Sequence, residues 1–131
     1  MKTVVAGLAW CLACCTGFSQ AWAQASPERG LALLQQRQET GCILCHLIPG
    51  LPVGGALGPS LQGLAQRSTR EETRARIADA RRFNPQTIMP AYLSTEGLHN
   101  VATPYRGQTV LTPSALEDIV SYLFQPNATA P

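Results

Sequence analysis

The chain is short of most of the residues that would complicate its reading. Among its 131 residues the only lysine is Lys2, and aromatics make up 6%. Beyond residue 23 nine arginines face eight acids, a formal charge of +1. That balance lacks the basic footprint of a nucleic-acid-binding domain. No segment after the N-terminal apolar run is long and apolar enough to cross a membrane. There is no internal repeat and no convincing strand pattern. Of five cysteines, Cys11, Cys14 and Cys15 fall in the first 23 residues, so only Cys42 and Cys45 remain downstream. Two are too few for a disulfide framework. Besides Met1 the only methionine is Met89, and the histidines are His46 and His99. Candidates for metal chemistry can therefore be counted on one hand.

The N-terminus has the layout of a secretory signal. Lys2 supplies a positive start, Thr3 to Cys15 an apolar core too short for a bilayer, and Ala21-Trp22-Ala23 a small-residue cleavage pattern. Cleavage is expected after Ala23, with Ala25 as the second site. Taking residues 1–23 from 131 leaves 108 for one domain, 24–131. A domain that small buries a modest core, and an apolar cofactor would add to it.

The remaining chain reads as mostly α. Ser26-Pro27-Glu28 marks a helix start and predicts a helix to about Gln38. Residues 47–63 are rich in Gly and Pro and predict an ordered loop. Ser68 with Glu71 forms a capping box, so a second helix should begin there. It should stop at Asn84-Pro85, because the residue before proline avoids helical geometry. Residues 84–111 read as extended loop. Thr112-Pro113 opens a last helix whose Leu116, Ile119, Val120 and Leu123 share one face, and Gln125-Pro126 closes it. Residues 127–131 should fray. Loops this long in a compact domain usually serve a function, and wrapping a cofactor is one.

The chemistry is carried by Cys42-Ile43-Leu44-Cys45-His46, a C-x-x-C-H motif. Two thiols three residues apart on one turn can each join a haem vinyl group, and the adjacent imidazole then lies under the iron. The motif reads as attachment of one covalent haem c. A thioredoxin-like redox pair would need a βαβ pattern, and a zinc site would need a second ligand pair; neither is visible. His46 is one axial ligand. The other in such cytochromes is Met or His. Met89, in the loop Ile88-Met89-Pro90, is the candidate, and His99, in a polar stretch, is the competitor and is expected in solvent. Met ligation implies a relatively high potential. The second ring nitrogen of His46 should donate to a backbone carbonyl, with Pro59 in Gly58-Pro59-Ser60-Leu61 the candidate acceptor.

With these residues in view, the chain resembles class I cytochromes c: an N-terminal helix, C-x-x-C-H, Gly-Pro-x-Leu, a distal Met followed by Pro, and a C-terminal helix. The resemblance implies an all-α fold packed around one haem. It also implies a close crossing of a first-helix glycine against an aromatic of the last helix, for which Gly30 and Tyr122 are the candidates. The closer likeness is to the SoxX-type cytochromes of sulfur oxidation. It rests on Asn84-Pro85-Gln86-Thr87-Ile88-Met89-Pro90-Ala91-Tyr92 and on Glu117-Asp118-Ile119-Val120-Ser121-Tyr122-Leu123. That resemblance implies a periplasmic location and a SoxA-type cytochrome as partner. It also implies transient contact with a SoxYZ-type carrier and a small soluble cytochrome, within a thiosulfate-oxidising complex. This chain has no spare thiolate, which suits an electron-transfer subunit more than a catalytic one. A free-standing electron shuttle is the alternative, and a haem-based ligand sensor a third reading.

Six of the nine arginines lie between Arg67 and Arg82. If the second helix persists, Arg67, Arg70, Arg74 and Arg81 share a stripe. The plain expectation is a solvated face paired with Glu71, Glu72 and Asp79. The sharper one is that Arg81 or Arg82 meets a haem propionate or the partner.

Overall fold

The computed structural model describes residues 24–126. The expected signal segment 1–23 with its cleavage, and the expected frayed end at 127–131, lie outside the described residues. Those described form an all-α fold: α1 (Pro27–Gln35), α2 (Cys42–Cys45), α3 (Arg70–Ala78) and α4 (Pro113–Leu123). Single 3-10 turns stand at Leu64–Gln66, Ala80–Arg82 and Thr103–Tyr105, and no strand occurs among the described residues.

Each helix starts where its cap dictates. Ser26 Oγ accepts from Arg29 N–H at 3.2 Å, with Pro27 at the first helical position. α1 ends at Gln35, short of the expected Gln38, because its last carbonyls find other donors. The Thr40 hydroxyl bonds the carbonyls of Leu33 (2.6 Å) and Gln36 (3.1 Å), and Gly41 N–H also donates to Gln36 at 2.9 Å. α3 starts one step later than expected. Thr69, not Ser68, is the cap, and accepts from Glu72 N–H at 3.1 Å. Ser68 Oγ lies instead 3.2 Å from Thr73 Oγ1. α3 also stops well before Asn84-Pro85. Asp79 turns extended and its carboxylate caps Arg81 N–H at 3.1 Å, which starts the next short turn. α4 begins as read, with Thr112 Oγ1 accepting from Ala115 N–H at 3.1 Å.

The core forms where α1 crosses α4. Leu116, Ile119, Val120 and Leu123 of α4 are all at most 2% exposed, and Leu34, Ile43, Ile48, Tyr92 and Leu111 close around them. Each such side chain contributes roughly 1.5–3 kcal/mol by leaving water. Gly30 makes the crossing possible: a Cβ there would lie 2.0 Å from the Asp118 carbonyl oxygen and 3.0 Å from Ile119 N. The resemblance anticipated Gly30 against Tyr122; the close contact is with the backbone at Asp118 and Ile119. The Tyr122 hydroxyl is used elsewhere, donating to the Pro49 carbonyl at 2.6 Å.

Asp118 locks this crossing. Its carboxylate is almost buried and receives Ser26 N–H at 2.7 Å and Arg29 Nε–H and Nη2–H at 2.8 Å. These bonds, Arg29 first, hold its pKa below the usual carboxylate range.

The 47–63 segment is an ordered loop, laced back over α2. Gly55 N–H donates to the Ile43 carbonyl (2.9 Å), Gly58 N–H to Cys45 (2.7 Å) and Leu61 N–H to Leu47 (2.9 Å). A Cβ on Gly55 would overlap the Leu44 carbonyl, so the close approach requires glycine.

Candidate haem site

The motif occupies one helical turn, entered through Gly41 at φ +67°, a left-handed conformation that favours glycine. His46 N–H donates to the Cys42 carbonyl at 2.9 Å, so the two thiols and the imidazole leave the turn together. Cys42 and Cys45 are both free thiols. Burial pushes the Cys42 thiol up, while its Sγ rests 4.0 Å from the Thr40 carbonyl oxygen.

His46 is oriented from behind. Its Nδ1 is 2.7 Å from the Pro59 carbonyl oxygen. A carbonyl can only accept, so Nδ1 carries the proton and Nε2 is left for a metal. Gly58 lies flat against the ring: a Cβ there would come within 2.4 Å of Cε1 and 2.9 Å of Nε2. Gly58 and Pro59 thus set ring position and tautomer together.

Cys42, Cys45, His46, Pro59 and Met89 all line one cavity of about 500 Å³. Its walls are largely apolar, from Leu34, Leu61, Ile77, Ile119 and Leu123 among others. That size falls within the roughly 300–1,000 Å³ of cofactor and ligand pockets. Met89 is half-buried; its N–H donates to Thr87 Oγ1 at 3.2 Å, and Thr87 N–H donates to Asn84 O at 3.0 Å. His99, the competing ligand, is exposed and forms no part of the cavity wall. A haem fits this donor set: two free thiols, an imidazole with its tautomer fixed, a thioether in the same wall, and an apolar enclosure. No group of three His, Cys, Asp or Glu that could hold a metal occurs among the described residues.

The arginines sort differently from the sequence expectation. Because α3 ends at Ala78, Arg81 leaves the stripe. It forks onto Asp79 (2.8 and 2.7 Å) and reaches Ser94 Oγ (3.2 Å) and the Glu96 carbonyl (2.8 Å). Arg82, like Arg81, is absent from the cavity wall; the arginines in it are Arg67 and Arg76. Arg76 is already paired with Glu72 (2.8 Å) and stacked over the Phe83 ring at 4.3 Å. Arg67 has only neutral partners, the carbonyls of Gln62 (2.7 Å) and Ser60. Arg67 is therefore a wall cation held in place with its charge uncompensated by any described carboxylate. Arg74 pairs with Glu117 across to α4 (2.8 Å) and, less closely, with Glu71. The expected pairing with Glu71, Glu72 and Asp79 is present; the reach to Glu117 was not visible in the sequence.

The architecture is that of a small all-α class I cytochrome c fold, with a cavity whose lining suits a haem. No family model matches the chain, and no curated protein matches it in sequence. A chain of a solved structure does: "Crystal structure of SoxXA from P. pantotrophus". The TM-score is 0.66 at 26% identity, covering 78% of this chain and 82% of that one. The match supports the sequence resemblance to the SoxX-type cytochromes.

Proposed function

We propose that this protein is the haem c electron-transfer subunit of a periplasmic thiosulfate-oxidising complex. In that role it takes electrons from a SoxA-type partner while thiosulfate is coupled oxidatively to a carrier-protein cysteine. The carrying observation is the convergence of Cys42, Cys45, His46 and Met89 on one apolar cavity in a chain whose fold matches SoxXA. The bound haem supplies a one-electron couple. The polypeptide does the rest. Cys42 and Cys45 anchor the group through thioether bonds, one haem per chain. His46 presents Nε2 with its tautomer fixed by Pro59. Met89 offers a thioether from the loop, which favours the reduced state. The apolar walls keep water from the metal, and Arg67 places a fixed positive charge in the wall; both disfavour the more positive, oxidised state.

Neither mature cysteine is spare, which supports electron transfer over sulfur chemistry in this subunit. A SoxA-type cytochrome would be its stable partner, with a SoxYZ-type carrier and a small soluble cytochrome as transient ones. The reading places it in the periplasm after loss of a signal ending at Ala23. No helix among the described residues is long and apolar enough to cross a membrane.

The test is capture of the tagged protein from thiosulfate-grown cells, followed by haem staining and intact mass. The expected result is a haem-bearing chain starting at Gln24 together with a second, larger cytochrome. A haem-bearing chain captured alone would favour the free-standing shuttle. A colourless chain of polypeptide mass would reject the haem itself.

A further inference from the structure

The distal loop has little of its own to hold it against the proximal turn. Residues 84–90 are organised by short-range bonds: Thr87 N–H to Asn84 O, Gln86 N–H to Asn84 Oδ1, and Met89 N–H to Thr87 Oγ1. None reaches Cys42–His46. Ile88 beside the methionine is 73% exposed. The first residue after Met89 that bonds across the molecule is Tyr92.

Tyr92 is 5% exposed and bonded on three sides. Its N–H donates to the Ile77 carbonyl (3.3 Å) and its carbonyl accepts from Leu111 N–H (3.0 Å). Its hydroxyl donates to the Thr40 carbonyl at 2.6 Å, a buried bond spanning 52 positions. Thr40 is itself immobilised, because its own hydroxyl is bonded to Leu33 and Gln36 at the end of α1. The Thr40 carbonyl stands two residues before Cys42, whose thiol lies against the same group. Beyond the apolar packing of Met89 and the Tyr92 ring, a single hydrogen bond thus joins the Met89 loop to the proximal attachment turn.

We propose that Tyr92 is a positioning residue for the distal ligand: its bond to Thr40 fixes the span across the cavity and so holds the Met89 sulfur at coordinating distance. The proposal rests on Met89 being that ligand. Sites of this kind need their groups held to within roughly 0.5 Å, and residues 84–90 have no other bond to the proximal side. Removing the hydroxyl leaves the buried Thr40 carbonyl unsatisfied and lets the loop drift.

The test uses the haem-loaded protein and imidazole as the competing sixth ligand. Tyr92→Phe keeps the ring and loses only the hydroxyl. Haem content and helical circular dichroism should match wild type. Imidazole should displace the methionine at roughly tenfold lower concentration, read by loss of the Met–iron charge-transfer band of the oxidised protein. Thr40→Val, which frees the carbonyl from its own anchor, should move affinity the same way. Tyr122→Phe is the control: it deletes another tyrosine–carbonyl bond of 2.6 Å, to Pro49, with no part in the distal loop. It should lower stability and leave imidazole affinity alone. Imidazole affinity unchanged in Tyr92→Phe overturns the proposal, and so does an equal rise in Tyr122→Phe. A wild-type protein lacking the Met–iron band rejects Met89 as ligand and this role with it; a wild-type band with unmoved affinity rejects the role of Tyr92 alone.

Discussion

Replacing Gly30 by alanine puts a methyl group where α4 already is. The added Cβ would sit 2.0 Å from the Asp118 carbonyl oxygen, 2.6 Å from its carbon and 3.0 Å from Ile119 N. Real contacts essentially never fall below 3.0 Å, so α1 and α4 must part by about 1 Å at the crossing. The obstruction is backbone, so no side chain can rotate away. Parting the helices loosens Leu34 against Ile119 and Leu123 and stretches the bonds from Arg29 and Ser26 to Asp118. Overpacking of this kind costs about 1–3 kcal/mol, and backbone obstruction places it at the top of that range. Alanine recovers about 1 kcal/mol through helix propensity. The net expectation is a loss of about 2 kcal/mol, or about 10 °C in melting temperature for a domain of this size. Guanidinium unfolding of the haem-loaded protein, followed by Soret absorbance, measures it, and Gly30→Val should cost more than Gly30→Ala. Equal or greater stability in Gly30→Ala would refute the crossing geometry, because propensity alone would then be acting.

Other outcomes are equally open to measurement. Met89→Ala should abolish the Met–iron band and lower the reduction potential, whereas His99→Ala should change neither; an unchanged spectrum in Met89→Ala would reassign the sixth ligand. Arg67→Met should lower the potential without loss of haem, since it deletes an uncompensated wall cation; a potential equal to wild type would reduce Arg67 to a brace for Ser60 and Gln62. Asp118 is held below its ordinary pKa by Arg29, so its contribution is complete above the usual carboxylate range and fades as pH falls through that range toward the lowered folded value. Acid titration of stability should therefore be shallower in Asp118→Asn than in wild type, and parallel curves would contradict the pairing.

Much of this architecture follows from local signals. The Ser26 and Thr112 caps stand where their sequences place them, and the Leu116 face points inward because periodicity and burial agree. The cavity-lining set of Cys42, Cys45, His46, Pro59 and Met89 was legible because the motif and the lone methionine left few options. The misses share one cause: a side chain taking a bond that a local pattern could not foresee. Thr40 consumes the carbonyls that would have extended α1. Asp79 caps a new turn and ends α3 early. Thr69 and Ser68 are both competent caps, and the competition was settled by Ser68 facing Thr73. The Asp118–Arg29 lock and the Tyr92–Thr40 bond span 89 and 52 positions, beyond the reach of any periodicity argument. Arg67 was counted with a helical stripe; its place in the cavity wall depends on the carbonyls of the 60–62 loop.

The stretch after the distal loop leaves and re-enters the fold at nearly one point, since Leu111 N–H bonds the Tyr92 carbonyl at 3.0 Å. Everything between is mostly exposed and tied down near its start by Arg81 on Glu96. A closed excursion of this sort transmits little tension to its base, and lengthening it adds closure entropy only slowly. Its exposed turn around Gly107 is thus a natural place to insert an affinity handle without disturbing the cofactor pocket, provided Gly107 itself is kept, since its φ of +72° strains any side chain.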